Sequence, residues 1–136
     1  MNILFFLTPK EEVAYIEEDD TLRQVIQRLE FHGYSAIPLV SKNGKYIGTV
    51  TEGDLLWGMK DKGFPDLHDM EKIRILDLKR RRDNEAVKVS EPMENMFEKI
   101  TNQNFVPVVD DDGTFIGIVT RKDVLLYLAN KKKKEK

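Results

Sequence analysis

Residues 38–59 read PLVSKNGKYIGTVTEGDLLWGM, and residues 107–128 read PVVDDDGTFIGIVTRKDVLLYL. At a constant offset of 69, without a gap, nine of these 22 positions are identical: Pro38/Pro107, Val40/Val109, Gly44/Gly113, Ile47/Ile116, Gly48/Gly117, Val50/Val119, Thr51/Thr120, Asp54/Asp123 and Leu56/Leu125. That density in one ungapped block marks two copies of a single supersecondary unit.

Each copy opens on a short apolar run, residues 37–40 and 106–109, of the kind a buried strand carries. The stretches SKNG and DDDG follow, rich in turn formers and ending in a Gly able to take φ > 0. Residues 46–50 and 115–119 return as second strands, and after Thr51 and Thr120 the chain turns helical. Upstream, Leu22, Val25, Ile26 and Leu29 recur at helical spacing, with Asp20 or Thr21 as N-cap and Gly33 as the stop. Met93, Met96, Phe97 and Ile100 repeat that spacing, with Pro92 in the first turn. Short extended segments at 13–16 and 86–89 precede these helices. Each copy is therefore expected to run strand, helix, strand, strand, helix, an α/β (α+β) fold of two βαββα repeats. The boundaries expected are 3–59 for the first repeat, 60–74 for a connector with a short helix through Leu67, Met70 and Ile73, 75–128 for the second repeat, and 129–136 for a basic tail.

Composition narrows the function classes. Hydrophobic residues make up 40% of the 136, enough for a core at this length. The net charge is −2, and removing the +4 of the last six residues leaves a body at −6, which argues against a nucleic-acid binder. There is no cysteine, hence no disulfide and no thiolate metal site. The apolar run at 3–7 is too short for a signal peptide or a membrane span, so a cytoplasmic location is expected. His32 and His68 stand alone, without metal-ligand spacing, and are read as surface or helix-end residues; no metal or cofactor is expected. No nucleophile elbow, P-loop or unassigned carboxylate pair is present, so no catalytic activity is expected.

The hairpin followed by G-h-V-T-x-x-D, twice over, resembles the tandem cystathionine-β-synthase-type (CBS) repeats of a Bateman module of the stand-alone bacterial type. The resemblance covers residues 3–128. It implies two repeats packed sheet to sheet about a pseudo-two-fold axis, with clefts between them for adenosyl ligands and a regulatory output to an unidentified effector protein. It places the ribose-binding acid on Asp54 and Asp123 and the phosphate-facing hydroxyl on Thr51 and Thr120. The base-holding segments fall on Tyr34, Ser35, Ala36, Ile37 and Pro38, and on Asn104, Phe105, Val106 and Pro107. A backbone contact near each repeat's start falls on Ala14 and Ala86. Asn104-Phe105 departs from the small polar pair usual there. A carboxylate that accepts from vicinal hydroxyls favours AMP, ADP or ATP; cyclic di-AMP and S-adenosylmethionine are the alternative ligands.

Other readings of the same residues stand beside these. Thr51-x-x-Asp54 and Thr120-x-x-Asp123 satisfy the helix capping-box pattern, so the motifs could serve an interaction protein with vestigial sites. Arg81 and Arg82, within the KRRR run at 79–82, either reach ligand phosphates or lie in a solvated loop balanced by Asp77, Asp83 and Glu85. Arg121 is a further phosphate candidate, and Glu52 is its counterpart in the first copy. Trp57 and Tyr127 are read as core or dimer-interface residues. Leu55, Leu56, Trp57, Met59, Val124, Leu125 and Leu128 offer more apolar surface than one helical face buries, which points to a homodimer.

Overall fold

A computed structural model of the chain describes residues 1–134. In chain order the regular elements are β1 (Thr8–Pro9), β2 (Ile16–Glu17), α1 (Leu22–His32), β3 (Ala36–Val40), β4 (Tyr46–Thr51), α2 (Glu52–Asp61), α3 (Leu67–Met70), β5 (Val87–Lys88), α4 (Met93–Ile100), β6 (Phe105–Val109), β7 (Phe115–Thr120) and α5 (Arg121–Lys134). Short 3₁₀ turns add Ile3–Phe6, Lys10–Glu12 and Ile75–Asp77. The mixed α/β character and the twice-repeated strand-helix-strand-strand-helix order match the sequence reading.

The chain divides into two compact units, Ala14–Asp83 on one side and Met1–Val13 together with the chain from Asn84 onward on the other. In the Ala14–Asp83 unit, β3 is central, with β2 parallel to it and β4 antiparallel. Its residues 37–40 are all buried, as befits a strand covered on both faces. The hairpin turn closes with Ser41 N–H donating to the Lys45 carbonyl at 2.8 Å, and Gly44 takes φ 84°. Helix α1 starts at a reciprocal capping box in which Thr21 and Gln24 satisfy each other's backbone N–H, and ends at Gly33 in the left-handed region. Its residues Leu22, Val25 and Leu29 pack with Ile16, Ile37, Leu39, Val50 and Leu55, and the returning connector completes the cluster with Ile75 and Leu78.

The other unit repeats the plan. Strand β6 pairs parallel with β5 and antiparallel with β7, and the Asp110 carboxylate accepts the Asp112 and Thr114 N–H groups to shape the turn before Gly113 (φ 85°). Met96 and Ile100 of α4 pack with Val106, Val108, Val119 and Val124. A fourth strand comes from elsewhere in the chain: β1 lies antiparallel to β7, with Thr8 opposite Ile118 and Pro9 opposite Gly117. Ile3 and Phe6 enter this unit's core at 0% and 6% exposure. The sequence reading placed residues 3–13 in the first repeat; hydrogen bonding and burial put them on the sheet of the second. Each core is thus completed by a 3₁₀ segment, Ile3–Phe6 in one unit and Ile75–Asp77 in the other. The expected connector helix is α3, capped by Asp66. Of the expected basic tail, Lys131 to Lys134 continue α5, while Glu135 and Lys136 lie outside the described residues.

Candidate functional site

The two Thr-x-x-Asp motifs sit where a hairpin's second strand becomes a helix. Thr51 ends β4 and N-caps α2: its Oγ1 accepts the Asp54 N–H at 3.0 Å, and Asp54 Oδ2 accepts the Thr51 N–H at 3.0 Å. Asp54 is only 2% exposed, and its other oxygen, Oδ1, accepts the Arg81 N–H at 3.0 Å. Thr120 Oγ1 likewise accepts the Asp123 N–H at 3.1 Å. Asp123 is exposed, and among the described residues no donor is bonded to its carboxylate. The capping reading and the binding reading therefore separate: the box is closed at Asp54 and half-made at Asp123.

The expected base-holding segments lie directly beside these motifs. Glu52 N–H donates to the Ser35 carbonyl at 3.0 Å, and Arg121 N–H to the Asn104 carbonyl at 2.9 Å, the same bond in both repeats. Ala36 pairs with Thr51, and Phe105 with Thr120, in the strand registers. Ser35 and Asn104 are exposed and Ala36 is half-buried, whereas Pro38, Phe105, Val106 and Pro107 are buried. Tyr34 is exposed and stacks on His32 with ring centroids 5.1 Å apart. It also borders a groove of about 460 Å³ with Leu29, Glu52, Leu55 and Met59. Ala14 and Ala86 are half-buried, just ahead of β2 and β5.

The basic candidates are mostly engaged. Arg121 Nε donates to the Ile100 carbonyl at 2.9 Å, Nη2 to the Thr101 carbonyl at 3.4 Å and Nη1 to Asn104 Oδ1 at 3.2 Å. Its guanidinium caps the C-terminus of α4, where carbonyls lack intrahelical donors. Arg80 pairs with Asp83 at 2.8 Å, as the balanced-loop reading expects. The Arg81 guanidinium lies over the Trp57 ring at 4.9 Å, while Arg82 is exposed. Trp57 is 39% exposed and so is not a core residue; Tyr127 packs edge-on against Phe5 and Phe6.

Several structuring polar residues carry no signature in the sequence. Gln103, 8% exposed, accepts from Glu85 N–H and donates to the Glu85 and Phe105 carbonyls, holding the entrance of β5 to β6. Asp83 accepts the N–H of Thr49, a buried residue whose hydroxyl meets the Tyr46 hydroxyl at 2.7 Å. Burial pushes the Tyr46 phenol well above its ordinary range, so it stays protonated. At the repeat offset of 69, Gln103 falls opposite Tyr34, which is exposed where Gln103 is buried. Among the described residues, no group of three or more His, Asp or Glu is placed to hold a metal, and no helix is long and apolar enough to cross a membrane.

Comparison with known proteins agrees with this fold. The CBS domain family model matches residues 6–61 and 77–130. Inosine-5'-monophosphate dehydrogenase of Methanocaldococcus jannaschii is 28% identical over 115 residues, covering 85% of this chain but only 21% of that protein. Cyclic di-AMP receptor B of Bacillus subtilis is 27% identical over 128 residues, covering 90% of this chain and 83% of the receptor. The crystal structure of CbpB in complex with c-di-AMP superposes with a TM-score of 0.84 at 26% identity, covering 96% of this chain and 85% of that one.

Proposed function

The chain belongs to the CBS-domain family, and from that premise we propose that it is a non-catalytic regulatory module that binds adenine nucleotides of the AMP, ADP and ATP class and signals to a partner protein. The observation that carries the reading is the exposed Asp123 carboxylate one helical turn from the Thr120 hydroxyl, beside the Asn104–Arg121 backbone bond. A carboxylate with free lone pairs at a helix start suits a ribose diol, and the adjacent hydroxyl and N–H groups suit a phosphate. The protein has no cysteine, and a reducing, cytoplasmic setting is proposed for it.

Cyclic di-AMP is a second reading, favoured by the Bacillus subtilis receptor and by the CbpB complex. One of its ribose oxygens at each nucleotide is tied up in the ring, so the carboxylate would take a single hydroxyl. Thermal unfolding of the purified protein with AMP, ATP and cyclic di-AMP separates the two. A ligand at a hundred times its dissociation constant stabilises by about 2.7 kcal/mol, and the ligand giving the larger rise at equal concentration is the better bound. No rise with any of the three would leave the motifs as helix caps, and nucleotide turnover would make the protein an enzyme.

We also propose a homodimer. Leu55 and Val124 are core residues, but Leu56 and Trp57 on α2, and Leu125, Leu126 and Leu128 on α5, are 39–58% exposed. Exposed apolar side chains in that number suit an interface. Sedimentation of a stable 15.8 kDa monomer at micromolar concentration would remove it.

A further inference from the structure

Asp54 and Asp123 hold the same place in their repeats, yet their carboxylates are in opposite states. Both oxygens of Asp54 accept backbone N–H groups and the residue is buried; Asp123 is exposed, with no donor on its carboxylate among the described residues. The difference has a source in the chain. Residues 75–83 lie against their unit as residues 3–11 lie against the other, at an offset of 72. Ile75 and Leu78 fill one core as Ile3 and Phe6 fill the other. Arg80 and Asp83 press on Gly48 as Thr8 and Pro9 press on Gly117, and these glycines are themselves a repeat pair. In this correspondence the position of Arg81 falls to Pro9, which has no N–H to give. The sequence reading put residues 75–83 in the second repeat, but they pack in the Ala14–Asp83 unit, which thereby supplies a donor to its own acid; Pro9 gives the other unit none.

The segment that supplies the donor is anchored at several points. Asp83 Oδ1 accepts the Thr49 N–H at 2.9 Å and Arg80 Nε at 2.8 Å. The Arg81 guanidinium stacks on Trp57. Leu78 sits against Gly58, with Cδ2 2.8 Å from where a Cβ would stand. Gly48 is required for the same close approach, since Arg80 Nε lies 2.7 Å from its missing Cβ.

We propose that residues 78–83 form a latch on Asp54, so that this carboxylate is withheld from a ribose until the segment lifts and nucleotide loads first through Asp123. The proposal rests on the nucleotide-binding reading above. A ribose diol at Asp54 would have to displace the Arg81 N–H and leave it unpaired, a handicap of roughly ten- to a hundredfold in affinity.

Calorimetric titration of the full chain with AMP tests it. The wild type should show one strong site, lost in Asp123→Ala and kept in Asp54→Ala. Arg81→Pro removes the latch donor, and Asp83→Ala removes the acceptor that anchors Thr49 N–H and Arg80. Each should expose a second site, at least about tenfold tighter than any first-repeat binding in the wild type, that vanishes when Asp54→Ala is added. Asp83→Ala should also speed amide exchange at Thr49 without AMP present. Equal losses in Asp54→Ala and Asp123→Ala, or a single site in both loosened variants while they remain folded, would overturn the latch and leave nucleotide binding standing. AMP binding to neither the wild type nor the loosened variants would overturn the nucleotide reading and the latch's role with it.

Discussion

The carbonyl oxygen of Thr8 stands where a side chain on Gly117 would begin, and the Cα of Pro9 lies 3.1 Å from the same point. Gly117 also takes φ 154°, which L side chains rarely adopt. Two penalties therefore meet at one residue: backbone strain, and expulsion of β1 from the edge of β7. Gly117→Ala is expected to cost about 2–3 kcal/mol. Gly33→Ala, at φ 69° with nothing within 4 Å, should cost only about 1 kcal/mol. Urea unfolding of the two variants compares them, and equal losses would mean that the approach of β1 adds nothing.

Phe6 shows that the first residues of the chain are structural rather than ornamental. It is 6% exposed, with its ring centroid 5.3 Å from Tyr127 and 6.1 Å from Phe97. Phe6→Ala should destabilise the protein by about 3–4 kcal/mol. The loss should appear first in the unit that holds Asn84 onward, as faster amide exchange in β6 and β7 while α1 and β3 keep their protection. Faster exchange confined to β2–β4 would contradict the assignment of residues 1–13.

The repeat made the hairpins, α1, α4 and the motif positions legible, because each rests on local periodicity or turn chemistry that the two copies state twice. The N-terminal strand was not legible. Residues 3–7 are an apolar run too short to show a period, and the partner of Thr8 is Ile118, far along the chain. The bond to Asp54 was hidden for a different reason: its donor is the Arg81 backbone, and a side-chain pattern says nothing about where an N–H points. Arg121 was visible as a cation beside a motif. That its guanidinium faces the α4 carbonyls depends on where a helix 21 residues upstream ends in space.

The two acids should differ in what they do for the empty protein. Asp54→Ala removes a helix cap and leaves the Thr51 and Arg81 N–H groups without their acceptor, an expected loss of about 2 kcal/mol. Asp123→Ala, exposed and bonded through its own N–H alone, should change stability by less than about 0.5 kcal/mol. Thermal unfolding without nucleotide reads this directly. Equal losses would mean that the Asp123 carboxylate has a partner in solution.

Glu91 gives the protein an acid-sensitive contact. The Lys88 N–H donating to its carboxylate, aided by Asn95, holds its carboxyl below the usual range despite partial burial. A group whose folded pKa is depressed binds fewer protons folded than unfolded, so its stabilisation is present above the unfolded value of 4.5 and is lost as pH falls through the lower folded value. Wild type should therefore lose stability relative to Glu91→Gln on titration downward from pH 5, with the two unfolding curves parallel above it. A constant gap between them across the whole range would show that Glu91 is not the group responsible.

Arg121 separates a structural cation from a ligand-binding one. With Nε and Nη2 on the Ile100 and Thr101 carbonyls, its removal takes a side-chain donor from each of these two groups at the C-terminus of α4. Arg121→Ala should lower stability by about 1.5–2 kcal/mol in the absence of any nucleotide. Arg82, next to the Arg81 whose N–H is held by Asp54, and Lys122, inside the second motif, are exposed cations, so a preference for ATP over adenosine should follow them rather than Arg121. Raising salt to about 0.5 M shortens the Debye length to a few Å and should shrink that preference in the wild type, because exposed charges are the ones salt screens. Titration of ATP and adenosine into wild type, Arg121→Ala and the Arg82→Ala/Lys122→Ala pair distinguishes the cases. The double variant should lose the preference at unchanged stability, and Arg121→Ala should keep it at reduced stability. The reverse pattern would mean that phosphate pulls the Arg121 guanidinium away from α4, and the helix cap would then be the resting state of a ligand-binding side chain.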